Sequence, residues 1–89
     1  MRDQRHLRNA LRKAERHLNE ATGLNLGISY VVSSSGSLLM VTCPGACPLV
    51  VQGFSLAGEQ HYTVPICQAV VAEIDWLRAA RSGQLAAND

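Results

Sequence analysis

Residues 27–56 constrain the fold more than any other stretch. They read Gly-Ile-Ser-Tyr-Val-Val, Ser-Ser-Ser-Gly-Ser, Leu-Leu-Met-Val-Thr-Cys and, beyond Pro44-Gly45 and Pro48, Leu-Val-Val-Gln-Gly-Phe-Ser-Leu. Short β-branched and apolar runs between turn formers predict an antiparallel meander of three strands. Ile28, Tyr30 and Val32 alternate with Ser29, Val31 and Ser33, and Leu38, Met40 and Thr42 alternate with Leu39, Val41 and Cys43. Residues 34–37 are the hairpin turn, with Gly36 able to take a positive φ. Residues 49–56 are the third strand, with a bulge expected at Gly53. Both sides of the return strand are mostly apolar, so the second face of the sheet calls for a cover, either a helix or another copy of the chain.

A helix is predicted on each side of the meander. In residues 2–22, Leu7, Leu11, Ala14, Leu18 and Ala21 recur at steps of four and three, with Ala10 on the same side. Thr22-Gly23 ends that helix, Gly23 suiting the left-handed position after its last turn. The second helix runs over residues 64–82, with Thr63 as N-cap, Pro65 in the first turn and Gly83 as the stop. Its core face is Ile66, Val70, Ile74 and Leu77. Residues 83–89 read as a frayed tail.

The expectation is a single small α+β domain over residues 1–89: helix, three-stranded antiparallel sheet, helix, with both helices on one face of the sheet. A chain of 89 residues buries only roughly 60–65% of its unfolded surface, so self-association or a partner would help it. The element order is similar to that of the double-stranded-RNA-binding domain, and the order is all that agrees. That family's lysine-rich phosphate clamp opens its last helix, where this chain has Thr63-Val64-Pro65-Ile66-Cys67.

Chemistry-bearing constellations are few. Cys43, Cys47, His61 and Cys67 are the possible zinc ligands, and Cys43-x-x-x-Cys47 brackets a Pro-Gly turn that could bring two thiolates together. The gap is one residue longer than in a usual zinc knuckle, so burial as small apolar side chains is the preferred reading and no metal or cofactor is expected. Cys67 in the first turn of a helix would have a lowered thiol pKa, with His61 near it in sequence but no orienting group. Glu73 and Asp75 point to different sides of their helix, and no phosphate-binding glycine loop is present. An enzyme is therefore not expected.

Charge is uneven. Residues 1–22 carry six Arg and Lys against three Asp and Glu, within a net charge of +1. Arg5, Arg12 and Arg16 fall opposite the apolar stripe and could meet nucleic acid or an acidic protein patch. The other candidate surface is Trp76 ringed by Ala69, Ala72 and Ala80, placed away from Ile66 and Val70 by helical spacing and expected to contact a partner. The first residues are charged with no apolar run behind them, no stretch is long enough to span a bilayer, and three cysteines suggest a reducing cytoplasm. These readings combine into a non-catalytic protein-binding module, an adaptor or inhibitor working as a homodimer. Phage- and mobile-element inhibitors of host machinery, anti-CRISPR proteins among them, are of this kind. The alternatives are a nucleic-acid-binding regulator using Arg5, Arg12 and Arg16, and a zinc-binding module.

Overall fold

The computed structural model describes residues 2–88. They form α1 (Arg2–Thr22), β1 (Gly27–Ser33), β2 (Gly36–Thr42), β3 (Leu49–Gln52), α2 (Thr63–Val71) and α3 (Ile74–Asn88). The three strands make an antiparallel sheet in the order β1-β2-β3, so the α+β class and the meander are as expected. Asp89, the last residue of the expected tail, lies outside the described residues.

The alternation along the strands sets two unlike faces. Ile28, Val41 and Leu49 lie in one cross-strand row and Tyr30, Leu39 and Val51 in the next. This inner face meets the core, where Leu39, Val41, Ile66 and Val70 are fully buried together with Ala14, Leu18 and Leu56. Burying one such Leu, Ile or Val stabilises by about 1.5–3 kcal/mol. The apolar stripe of α1 faces inward as its spacing requires, and α1 packs on β1 and on α2. Polar side chains one helical turn apart on α1 fasten it to the sheet. Glu15 Oε2 accepts from the Ile28 N–H at 2.9 Å, and Asn19 Oδ1 accepts from the Leu26 N–H at 2.8 Å. They satisfy backbone donors where the chain enters an edge strand, a position otherwise open to another strand.

The hairpin closes on the Ser33–Gly36 pair, so its turn is Ser34-Ser35, and Gly36 has φ +133°. The expected third strand is shorter than residues 49–56 because Gly53, at φ +74°, turns the chain out of the ladder instead of bulging within it. Its N–H donates to the Ser37 carbonyl at 3.0 Å, and the Ser37 hydroxyl donates to the Phe54 carbonyl. Residues 54–56 then fold over the inner face. Phe54 stands edge-on to Tyr30 at 6.0 Å, and the Leu56 N–H donates to the Tyr30 hydroxyl.

The expected last helix is two helices. The break is at Ala72 and Glu73, where the Glu73 N–H bonds to the carbonyl of Val70, three residues back, and the regular pattern resumes with Leu77 N–H to the Glu73 carbonyl. After the break α3 starts afresh at Ile74, and both helices turn residues inward. Ile66, Val70 and Ala80 are all fully buried, and Ile74, expected in the core, is 53% exposed. The N-cap is Tyr62, not Thr63, and no side chain caps it.

Gly83 does not stop the helix, and residues 83–88 continue α3 where a frayed tail was expected. Gly83 instead lets α3 touch the loop between β2 and β3: a Cβ there would run into the Gly45 carbonyl, 2.8 Å from its carbon. The next residue, Gln84, is the buried polar side chain of the structure's described core. Its Oε1 accepts from the Asn25 N–H at 2.7 Å and faces the Cys43 thiol at 3.4 Å, and its Nε2 donates to the Gly23 carbonyl at 3.0 Å. Arg81 Nη2 donates to the Thr22 carbonyl at the end of α1. Gln84→Ala should cost about 1–3 kcal/mol, because it strands a donor and an acceptor that are partly buried. Leu85→Ala, 63% exposed on the neighbouring position, should stay within about 0.5 kcal/mol. Urea unfolding of the two variants separates them; equal losses would remove Gln84 from its role as the tie.

Candidate functional site

The outer face of the sheet is built from the side chains that the inner face leaves over. Ser29, Met40 and Val50 form one cross-strand row, and Val31, Leu38 and Gln52 the next. Leu38 and Met40 on the central strand are half-buried by their neighbours, and Val31 and Val50 on the two flanking strands are 45% and 42% exposed. The four apolar side chains lie together at the middle, with Ser29, Thr42 and Gln52 around them. No strand of the sheet contains a charged residue. The cover that the sequence called for on this face is not supplied by the described residues. Of the other exposed large apolar side chains, Val32 lies at the end of the inner face, and Val64, Val71, Ile74 and Leu85 are spread over two helices and interleaved with Glu73, Asp75, Arg78 and Arg81.

Trp76 is placed differently from its expected role. It is half-buried, packs against the core, and its indole N–H donates to the Cys47 carbonyl at 2.8 Å. Ala80, one turn on, is fully buried and cannot meet a partner, while Ala69 is half-buried on α2 and Ala72 is exposed at the break. The four residues expected to form one patch thus belong to two helices, and the inward face of α3 is Trp76, Ala80, Gly83 and Gln84. The packing of Trp76 on the core and the burial of Ala80 remove the geometric motive for an interface there.

Arg5, Arg12 and Arg16 are exposed on one side of α1, as the spacing places them. Arg12 and Arg16 border a shallow depression with Asn9 and Lys13. No Phe, Tyr or Trp occurs on α1 to stack a base. Cys43 is buried beside Gln84, Cys47 is exposed, Cys67 is half-buried, and all three are free thiols. Cys43, Cys47, His61 and Cys67 are not brought together: among the described residues no group of three or more His, Cys, Asp or Glu could hold a metal ion. Burial pushes the Cys67 thiol up, the opposite of the lowered value expected from a helix start, because desolvation penalises the thiolate. No helix among the described residues is long and apolar enough to cross a membrane.

Glu15, Asn19 and Gln84 were not singled out by the sequence. Glu15 and Asn19 are spaced by four on the flank of the apolar stripe, which is the one signal that could have found them. Gln84 carries none, since it sits where the helix was expected to have ended. Compared with protein families, curated proteins and solved structures, the chain matches none.

Proposed function

We propose that this chain is a non-catalytic protein-binding module, of adaptor or inhibitor type, whose working form is a homodimer paired through the outer face of its sheet. One observation carries the reading: Val31, Leu38, Met40 and Val50 form an open apolar centre on a sheet whose strands hold no charge. A second copy suits such a face. In a two-fold pairing the same patch meets itself, so any charge on it would meet its like, and here there is none.

The raised Cys67 thiol speaks against a nucleophilic role for that residue.

Sedimentation velocity tests the pairing. The expected result is a reversible dimer that Val31→Glu or Val50→Glu weakens by at least about tenfold, since each puts a carboxylate against its symmetry mate in a desolvated contact. Both residues are on the surface, so the variants keep the monomer fold by circular dichroism. A wild-type protein that stays monomeric at the highest soluble concentration, or a dimer indifferent to both changes, overturns the proposal.

A further inference from the structure

The inner face of the sheet runs on past the cover that the helices give it. Ile28 is buried and Tyr30 half-buried, but Val32, next in the same alternation, is 70% exposed. Over Val32 lies an open cavity of about 460 Å3, distinguished from the other surface depressions by its apolar lining. Its floor is Tyr30, Val32 and Ser37, and its walls are Leu7 of α1, Leu56 of the loop after β3, and Tyr62 before α2.

The chemistry of this lining is unusual in one respect. Among the described side chains no Asp, Glu, Lys, Arg or His lines the cavity, and His6 stands outside it against the Tyr62 ring at 4.9 Å. The polar groups that do are hydroxyls, from Tyr30, Ser33, Ser37, Ser55 and Tyr62, with the amide of Gln4 at one edge. Several are already held in place: the Tyr30 hydroxyl takes the Leu56 N–H at 3.2 Å, the Ser37 hydroxyl donates to the Phe54 carbonyl, and the Ser55 hydroxyl accepts from the Ala57 N–H at 3.2 Å. An ion resting on Val32, Leu7 and Leu56 would lose water against apolar side chains. A neutral molecule would bury apolar surface on Val32, Leu7 and Leu56 and reach a hydroxyl with its one or two polar atoms.

We infer that this cavity is a binding site for an uncharged, largely apolar small molecule carrying a hydroxyl or carbonyl group. It lies on the opposite side of the sheet from the proposed dimer face and stands independently of it.

The test is a fluorescence titration of the full chain with N-phenyl-1-naphthylamine, a neutral apolar fluorophore. The expected result is saturable binding of one probe per chain. Val32→Glu, which sets a carboxylate on the floor, should weaken it by at least about tenfold. Ala57→Trp, at an exposed position on the rim, should block it by filling space and leave folding intact. Val31→Glu, on the other face, should leave it unchanged, even where that variant has lost self-association. Non-saturable binding, binding indifferent to both Val32→Glu and Ala57→Trp, or equal loss in Val31→Glu would overturn the assignment.

Discussion

Leu39→Ala should destabilise the monomer by about 2–5 kcal/mol, the range for truncating a large aliphatic side chain in a packed core. Leu39 is fully buried at the centre of the inner face. Leu38→Ala, the adjacent residue on the same strand, should cost only about 1 kcal/mol in dilute protein, because Leu38 keeps part of its surface in water already. The two substitutions remove the same atoms and differ only in the face they strike. In concentrated protein the Leu38 variant should show a second defect, weaker self-association. Chemical denaturation at two protein concentrations reads both effects. Equal losses for the two variants in dilute protein would mean that the outer face is covered within the monomer.

Gly83→Ala should destabilise by up to about 2 kcal/mol net although alanine is the better helix former. Two effects oppose each other. The helix-propensity gain is about 1 kcal/mol at an interior position. Against it, the new methyl collides with the Gly45 carbonyl, a backbone group in a loop that also takes the Trp76 N–H at the Cys47 carbonyl. Backbone cannot swing aside as a flexible side chain would, so the loop must shift or α3 must lift away, and overpacking of this kind costs about 1–3 kcal/mol or more. Each kcal/mol lowers the melting temperature of a domain this size by about 4–8 °C. Melting of Gly83→Ala beside Ala79→Gly, at an exposed position of the same helix, checks the sign. Ala79→Gly should lose about the propensity term alone. An unchanged or raised melting temperature for Gly83→Ala would mean that α3 does not approach the loop so closely.

Local periodicity explains what could be read in the sequence. The α1 stripe, the β1–β2 alternation and the positive φ of Gly23 and Gly36 depend on neighbours a few residues away, and they came out as expected. The errors fell where a distant group decides. Gly53 ends β3 because the chain must return over Tyr30, and nothing within residues 49–56 states that. Gly83 was read as a helix stop because glycine commonly is one, whereas here the reason is a loop nearly forty residues earlier in the chain. The break at Ala72 and Glu73 carries no proline or glycine, so no local signal marked it. Trp76 and its alanines were taken as a patch for a partner, and the fold turns Trp76 and Ala80 inward.

The candidate surface was half legible. The apolar second side of the return strand marked an open face, and Val31 and Val50 joined it only once the register was known. Arg5, Arg12 and Arg16 were placed correctly as an exposed side of α1, which by itself assigns them no contact.

Isotope-filtered nuclear Overhauser spectroscopy on a mixture of labelled and unlabelled chains tests the central claim most directly, because it reports only contacts between copies. Pairing through the outer face predicts cross-peaks from the Met40 methyl to the methyl groups of Leu38, Val31 and Val50 of another copy. It predicts none to Val41 or Leu39, which point into the core. Cross-peaks that instead join copies through the Trp76 indole, or an absence of intermolecular cross-peaks from Met40 at concentrations where the protein sediments as a dimer, would contradict it.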